Sequence, residues 1–330
     1  MHDVSAAGPV EAARHGQQAG SCMDPGWCAV MTRVGFIGTG SMGLPMCANL
    51  VCAGFDVTAA DKRPDRQAPV LRCGARWALS PAGAAADAGF LITMLPGAGA
   101  VTEVMTGAGG VLGALSAGAV WIDMTSNSPA AGRALVAAAR ARGIDTLDAP
   151  VGGGIAAARA GTLQIFAGGD REVLDRSRPV LEALAGTGCI THAGGTGAGY
   201  ITKLLVNLLW FGQAIATAEA LLTGVRAGLD IDTLHQVLGA SAGSSAFIRD
   251  DLGALLDGDY LASFGLDRCW EELAAITQLA RDLAVPCQLT GLVEDTYQQA
   301  LRRFGPVKGE LLPVALLEEQ AGLKLRREPR

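Results

Sequence analysis

Short apolar runs alternate with helix-like stretches along the first part of the chain. An apolar run at 34–37 is followed by a helical pattern over 41–53 and by a second strand-like run at 56–60. This order is typical of a βαβ unit in a parallel sheet. The alternation continues to residue 193 and predicts a doubly wound α/β domain. Further strands are expected at 90–94, 120–124, 144–148, 163–167 and 188–191.

The pattern changes after a glycine cluster at 194–199. Apolar positions recur with helical spacing over 200–227, and no convincing strand follows. We therefore expect a long interdomain helix that leads into an all-helical second half. The predicted architecture is an α/β Rossmann-type dinucleotide-binding domain at 31–194 and an all-α C-terminal domain at 195–330.

The two chain ends lie outside this pattern. Residues 1–30 are polar and have no hydrophobic periodicity, so they are predicted to be a disordered leader, with the first strand beginning after Met31. The basic run at 324–330 is predicted to be a solvated tail without function.

Composition narrows the class of protein. A formal net charge of −6, with no basic block before the tail, predicts no nucleic-acid partner. Eight cysteines without a C-x-x-C pair argue against a disulfide framework and a zinc site, so no metal is expected. Polar residues interrupt the longest apolar run, at 204–222, which predicts no membrane span. These features indicate a cytoplasmic enzyme.

A glycine motif is the first candidate site. Gly38, Gly40 and Gly43 form G-x-G-x-x-G between the first predicted strand and helix, where backbone N–H groups and the helix dipole can hold a pyrophosphate. Asp61 ends the second strand, where a carboxylate can bind the adenosine ribose hydroxyls and repel a 2′-phosphate; this favours NAD. Lys62 and Arg63 follow immediately and can instead bind that phosphate, so NADP stays possible.

Three further loops follow predicted strands, at 95–97, 123–129 and 148–154. Ligands of open parallel sheets bind outside the carboxyl ends of the strands, so these loops can line one site. Thr125 offers a hydroxyl there. Bare backbone N–H groups that can help to hold a carboxylate come from Gly152, Gly153 and Gly154. A simple turn is the alternative for these glycines.

Lys203 and Asn207 are the candidate catalytic pair. They are four positions apart and therefore share one face of the long helix, just after the glycine cluster. A buried lysine loses its charge readily and can serve as an acid or base near neutral pH. A lysine whose stem packs on the apolar helix while its head reaches water is the alternative.

Four ordered segments resemble the β-hydroxyacid dehydrogenase family, over residues 34 to about 289. Segment 35–46 (GFIGTGSMGLPM) resembles its dinucleotide signature, and 92–96 (ITMLP) resembles its loop over the adenosine side. Segment 148–154 (DAPVGGG) with 161–163 (GTL) resembles its substrate loop, and 197–203 (GAGYITK) with Asn207 resembles its catalytic helix.

The resemblance implies a Rossmann-type domain, an interdomain helix and a helical domain, assembled as a homodimer or homotetramer. It also implies Lys203 as the general acid/base, Asn207 as its hydrogen-bonding companion, and the loops of Thr125 and Gly153 as holders of the substrate carboxylate. The residues implied to bind the cofactor are Gly38, Thr39, Gly40, Ser41, Met42, Gly43, Asp61, Leu95, Pro96 and Thr125, and those for substrate are Thr125, Gly152, Gly153 and Gly154.

The chain departs from the family at three places. Thr125 and Gly152 each replace a usual serine, and Glu271–Glu272 replaces a usual Lys–Asp pair, which reverses a charge near the cofactor cleft. The substrate therefore stays open.

The combined prediction is an NAD(P)-dependent oxidoreductase that interconverts a small 3-hydroxy acid and its semialdehyde, with Lys203 exchanging the proton. One alternative is an NADPH-dependent aldehyde or imine reductase. Another is a catalytically inactive dinucleotide-binding interaction protein, against which the presence of Lys203 argues.

Overall fold

The computed structural model describes residues 32–327, and the predicted leader at 1–30 lies outside the described residues. A nine-stranded sheet forms the first half of the described chain. All strands predicted from apolar runs are present, and two short strands, β3 and β7, were not predicted. The strands are β1 (Arg33–Ile37), β2 (Asp56–Ala60), β3 (Arg76–Trp77), β4 (Phe90–Thr93), β5 (Val120–Asp123), β6 (Asp145–Asp148), β7 (Val151–Gly152), β8 (Gln164–Gly169) and β9 (Ile190–Gly194).

The sheet order is β3-β2-β1-β4-β5-β6-β8-β7, with β9 paired to β8. β1 runs parallel to β2 and β4, and the parallel arrangement continues through β5 to β6. The carboxyl ends of these five strands therefore meet at one edge. β8 runs antiparallel to both β6 and β7, so the sheet is mixed where a parallel one was predicted. The connection between β6 and β8 contains β7 and α6, and it returns the chain in the opposite sense instead of crossing over the sheet.

Thirteen α-helices lie within residues 32–327. Ser80 and Ser128 begin two of them, because their hydroxyls accept the backbone N–H groups of Gly83 and Ala131. The helices are α1 (Gly43–Cys52), α2 (Gln67–Arg72), α3 (Pro81–Ala85), α4 (Ala98–Thr106), α5 (Pro129–Arg140), α6 (Gly154–Ala160), α7 (Arg171–Ala185), α8 (Ala198–Arg226), α9 (Ile231–Ala240), α10 (Leu252–Leu256), α11 (Leu266–Asp282), α12 (Gln288–Phe304) and α13 (Leu312–Ala321).

Helices cover both faces of the sheet. Phe36 and Ile122 point to one apolar cluster, while their neighbours Ile37 and Trp121 point to the other. Successive residues of a strand face opposite sides, so buried strands with two covered faces have continuous apolar runs. This explains why the sequence pattern identified these strands.

The second half is helical, as predicted, and α8 is its central element. Ala214 and Leu221 on α8 belong to one apolar cluster with α10 and α13, whereas Phe211 and Ile215 belong to another with α11 and α12. By length and a mean hydropathy of 1.4, α8 also meets the criteria for a membrane span, which the interrupted apolar run did not predict. Its contacts with β8, α11, α12 and α13 account for part of this apolar character, since 39% of its most apolar window is buried.

The tail predicted at 324–330 is not simply solvated, and the prediction is wrong for residues 324–327, the part that the structure describes. Leu325 is fully buried, and Glu318, only 1% exposed, accepts hydrogen bonds from Lys324 Nζ at 3.0 Å and from Arg326 at 3.1 Å. Basic composition did not reveal this packing because the buried carboxylate lies on α13, earlier in the chain.

Candidate active site at the carboxyl edge of the sheet

The turn between β1 and α1 holds the predicted dinucleotide-binding residues. α1 begins at Gly43, two positions later than the predicted start at Ser41, so Ser41 and Met42 belong to the turn. A Cβ atom on Gly43 would lie 1.9 Å from the carbonyl oxygen of Gly38, whereas one on Gly40 would meet no atom of the described residues within 4 Å. The turn is thus tight on the inside and open in front of Gly40.

These features fit a dinucleotide pyrophosphate. Within residues 32–327, no side chain caps the N-terminus of α1, which leaves backbone N–H groups of the first turn without a side-chain partner there. An uncapped helix N-terminus behind a glycine turn attracts phosphate through its N–H groups and its dipole. The other predicted members, Gly38, Thr39, Ser41 and Met42, all lie in or beside this turn.

Asp61 follows β2 and fixes the glycine turn. Its Oδ2 atom accepts the backbone N–H of Thr39 at 2.7 Å, and Oδ1 accepts the N–H of Arg63 at 2.9 Å. The Arg63 side chain pairs with Asp65 at 2.6 Å at the surface. Asp61 therefore has a structural role in addition to the ribose-binding role predicted for it.

The loops after β4 and β5 are joined by hydrogen bonds. Thr125 is fully buried, and its hydroxyl accepts the backbone N–H of Leu95 at 3.1 Å. Asp123, also buried, accepts the N–H of Thr125 at 3.1 Å and the hydroxyl of Tyr200 at 2.7 Å. Burial raises the pKa of Asp123, and these hydrogen bonds oppose that rise. The network ties both loops to α8.

Asp148, at the end of β6, caps the N-terminus of α8. Its carboxylate accepts the backbone N–H groups of Gly197 and Gly199, each at 2.8 Å, and that of Tyr200 at 3.2 Å. A Cβ atom on Gly199 would lie 2.3 Å from the Phe166 carbonyl oxygen, so only glycine permits this close approach. Burial raises the pKa of Asp148, while the three N–H groups lower it. The glycine cluster therefore positions α8 against the sheet.

Lys203 and Asn207 lie one turn apart on α8. The Asn207 amide donates to Glu272 Oε2 on α11 at 2.6 Å. Burial lowers the pKa of Lys203, and the negative charges of Glu272 and Glu310 partly offset that effect. Lys203 forms no ion pair within 4.0 Å among residues 32–327.

A cavity of about 80 Å³ separates the strand-end loops from the helices. Pro96 and Ser126 line it on the sheet side, and Leu204 and Glu272 line it on the helix side. Leu95 and Thr125, which are hydrogen-bonded to each other, belong to the same loops but do not line the cavity. This cleft brings the β4 loop, the β5 loop, α8 and α11 together.

The predicted glycines of the β6–α6 segment do not line this cavity. Gly152 is the end of β7, and Gly153, with φ of +99°, precedes α6, which begins at Gly154. Their role in holding a substrate carboxylate stays a prediction.

Three residues of the site were not predicted as functional. Asp148 and Tyr200 position α8, and Glu272 contacts Asn207. Glu272 was noted in the sequence only as a member of the Glu271–Glu272 pair that replaces a usual Lys–Asp pair. The sequence carried no signal for its contact with Asn207, because the two residues are distant in the chain and on separate helices.

Comparisons with known proteins agree with this arrangement. Residues 33–194 match the family profile "NAD binding domain of 6-phosphogluconate dehydrogenase", and residues 197–316 match "NAD-binding of NADP-dependent 3-hydroxyisobutyrate dehydrogenase". The chain is 36% identical to 2-(hydroxymethyl)glutarate dehydrogenase of Eubacterium barkeri, over 87% of this chain and 95% of that protein. It is 34% identical to 3-sulfolactaldehyde reductase of Escherichia coli, over 82% of this chain and 90% of that protein.

Solved structures show the same fold. The 3-hydroxyisobutyrate dehydrogenase of Mycobacterium tuberculosis, determined with L-serine, superposes with a TM-score of 0.76 at 29% identity and covers 87% of this chain and 99% of its own. The 3-hydroxyisobutyrate dehydrogenase of Salmonella typhimurium superposes with a TM-score of 0.78 at 27% identity, covering 86% and 99%.

Proposed function

The chain belongs to the β-hydroxyacid dehydrogenase family of NAD(P)-dependent enzymes, and on that premise we propose that it interconverts a small 3-hydroxy acid and the matching semialdehyde. The observation that carries the proposal is the placement of Lys203 and Asn207. Both lie on α8, which Asp148 fixes to the carboxyl edge of the sheet, and Asn207 contacts a residue that lines the cleft.

Lys203 is the general acid/base in this proposal. When bound, the nicotinamide dinucleotide supplies the hydride chemistry. In the oxidative direction, neutral Lys203 accepts the proton of the substrate hydroxyl, and the amide of Asn207 orients the lysine and the substrate. Partial burial favours the neutral lysine, because water no longer stabilises its charge. Stabilisation of the developing negative charge by one such donor is worth about 2.7–4 kcal/mol.

The remaining predicted contacts complete the site. The turn that contains Gly38, Gly40 and Gly43 holds the pyrophosphate, and Asp61 binds the adenosine ribose and favours NAD over NADP. Leu95 and Pro96 cover the adenosine side. The Thr125 loop and the Gly152–Gly153–Gly154 segment hold the substrate carboxylate.

Self-association is also proposed, supported by an apolar surface on α8 and α12. Leu209 and Leu289 on it are 65% and 72% exposed, and Leu205, Val206 and Leu292 are further exposed members. α8 and α12 contact each other, and exposed apolar side chains that cluster on neighbouring helices are typical of protein interfaces. We propose a homodimer or homotetramer located in the cytoplasm.

A substrate panel tests the proposed reaction. Purified protein is incubated with NAD⁺ or NADP⁺ and with 3-hydroxyisobutyrate, 2-(hydroxymethyl)glutarate or L-serine, and formation of the reduced nicotinamide is followed by absorbance. At least one 3-hydroxy acid is expected to be oxidised, faster with NAD⁺. Reduction of imines or simple aldehydes by NADPH, without oxidation of any hydroxy acid, would contradict the proposal and favour the reductase alternative.

A further inference from the structure

Glu272 is a buried carboxyl group at the cleft. Its side chain is 7% exposed and lines the cavity, and its Oε2 atom accepts the amide of Asn207 at 2.6 Å. Its Oε1 atom is also buried and forms no hydrogen bond within 3.5 Å to a residue in the described part of the chain. Burial raises the pKa of this carboxyl, while the Asn207 amide and the nearby Lys203 and Ser126 side chains lower it. A buried acceptor without a donor costs free energy, and a charged one costs more.

Among the described residues, Lys203 is a cationic group that lacks an acceptor, just as Glu272 Oε1 is an acceptor that lacks a donor. It lies one helical turn before Asn207, and residues 32–327 give its ammonium no ion-pair partner within 4.0 Å. Each time Lys203 accepts a proton in the proposed reaction, a cation forms at a half-buried position, where burial disfavours the charge. Such a cation needs a nearby acceptor. The flexible four-carbon stem of lysine allows its head group to move between two partners.

Other charged groups near this pair do not replace Glu272. Glu310, before α13, also acts on Lys203 through its charge, but its carboxylate already accepts the Ser263 hydroxyl, and Asp251 adds a further negative charge beside it. Glu271 pairs with Arg268 at 2.6 Å, and both are more exposed than Glu272. Glu272 is therefore the carboxylate with both a free buried oxygen and a contact to Asn207.

We propose that Glu272 is a positioning residue whose carboxylate is the counter-charge of Lys203. The proposal rests on the proposed function and assigns a place to the transferred proton. The substrate O–H bond breaks, its proton binds Lys203 Nζ, and the hydride leaves the same carbinol carbon for the nicotinamide ring. The resulting ammonium then donates to Glu272 Oε1, while Oε2 continues to hold Asn207. Glu272 stands where the resembling family usually has an aspartate, and its side chain is one methylene group longer.

The test measures the protonation of Lys203 without cofactor or substrate. Full-length protein is labelled with acetic anhydride over a pH series, and modification of Lys203 is quantified by peptide mass spectrometry against exposed Lys62 as internal reference. In Glu272→Gln the amide oxygen still accepts from Asn207, but the charge is gone. The labelling midpoint of Lys203 is expected to move to lower pH by about one unit or more, the effect of removing a close opposite charge.

Two further variants make the result decisive. Glu271→Gln removes a neighbouring charge on the same helix and is expected to leave the labelling midpoint of Lys203 close to that of wild type. Glu272→Asp keeps the negative charge, so its Lys203 midpoint is expected to stay nearer to wild type than that of Glu272→Gln. An unchanged midpoint in folded Glu272→Gln overturns the proposal, as does an equal shift in Glu271→Gln. If Glu272→Gln does not fold, Glu272→Asp takes its place. A Lys203 labelling midpoint about one unit or more below that of wild type, although the negative charge is kept, then overturns the proposal.

Enzyme kinetics separate this proposal from the proposed function. In the oxidative direction the acidic limb of the kcat profile is expected to move to lower pH in Glu272→Gln, parallel to the labelling midpoint. A shifted midpoint in a protein that oxidises no hydroxy acid would support the counter-charge while contradicting the proposed reaction.

Discussion

Asp148 Oδ2 accepts the backbone N–H of Gly199 at 2.8 Å, and this hydrogen bond links the end of β6 to the first turn of α8. The carboxylate compensates the positive end of the helix dipole as well as the unpaired N–H groups. Lys203 follows on the next turn of the same helix. The position of the proposed acid/base is therefore set by a carboxylate that lies outside α8, at the end of a strand.

Asp148→Asn is expected to lower the free energy of unfolding by about 1.5–3 kcal/mol, because the asparagine amide has one acceptor oxygen where the carboxylate uses two. Asp145→Asn is the matched control on the same strand. Asp145 pairs with Arg176 at the surface, and its loss is expected to cost at most about 1 kcal/mol. Urea unfolding of both variants measures the difference, and equal losses would contradict a special role for Asp148.

Gly40→Ala is expected to fold normally and to lose dinucleotide affinity by about tenfold or more. A Cβ atom at this position meets no atom of the part of the chain that the structure describes within 4 Å, yet it occupies the space through which a pyrophosphate approaches the backbone. Gly113→Ala, which also meets no atom within 4 Å, is the control away from the site. Calorimetric titration with NAD⁺ checks this. Unchanged affinity in Gly40→Ala would place the pyrophosphate elsewhere.

Wild-type protein is expected to bind NAD more tightly than NADP, and Asp61→Ala is expected to narrow that gap. Loss of the carboxylate removes an acceptor for the ribose hydroxyls and the repulsion of a 2′-phosphate. The variant is also expected to bind NAD more weakly because Thr39 loses its 2.7 Å partner. Titration of wild type and Asp61→Ala with each coenzyme measures the four affinities. Tighter binding of NADPH by the wild type would refute the role of Asp61.

The free energy of unfolding is expected to decrease at acidic pH because Glu318 becomes protonated. Burial alone would raise its pKa, but hydrogen bonds from Tyr260, Lys324 and the backbone N–H of Leu325 lower it below the ordinary value of 4.5. A carboxylate whose pKa is lower in the folded state stabilises the fold above its unfolded pKa, and this contribution is lost as pH falls through the folded pKa.

Thermal unfolding over an acidic pH series measures this effect. Glu318→Gln is expected to be less stable at neutral pH and to show a weaker loss of stability below pH 4.5. Glu319→Gln removes a surface partner of Arg303 and is expected to behave like wild type. Identical acid profiles for wild type and Glu318→Gln would show that the pairing of the tail with Glu318 is not what acid disrupts.

The sequence predicted those parts of the structure that depend on local pattern. The buried strands were recognisable because both faces of the sheet are covered, which gives continuous apolar runs. The glycine motif was recognisable because a tight turn before a helix requires glycine at particular positions. The late start of α1 at Gly43 was missed, since periodicity continues through Ser41 and Met42 although these residues form the turn.

The missed features depend on contacts between distant segments. Neither Asp148 as the cap of α8 nor Glu272 as the partner of Asn207 has a local signature, because an acidic residue has the same pattern whether it is solvated or buried against backbone N–H groups. The antiparallel β8 was missed for a related reason, since strand direction is set by the length and path of the connection.

The most direct test of Lys203 as the acid/base compares turnover and cofactor affinity in Lys203→Ala. We expect turnover on the best hydroxy acid of the panel to fall by about 10²–10⁴-fold, while the affinity for NAD⁺, measured by calorimetric titration of the same preparation, changes little because the pyrophosphate contacts lie at Gly38–Gly43. Lys203→Arg is expected to fail as a rescue, because a guanidinium stays protonated at neutral pH. Near-normal turnover of Lys203→Ala with its cofactor affinity intact would contradict the mechanism.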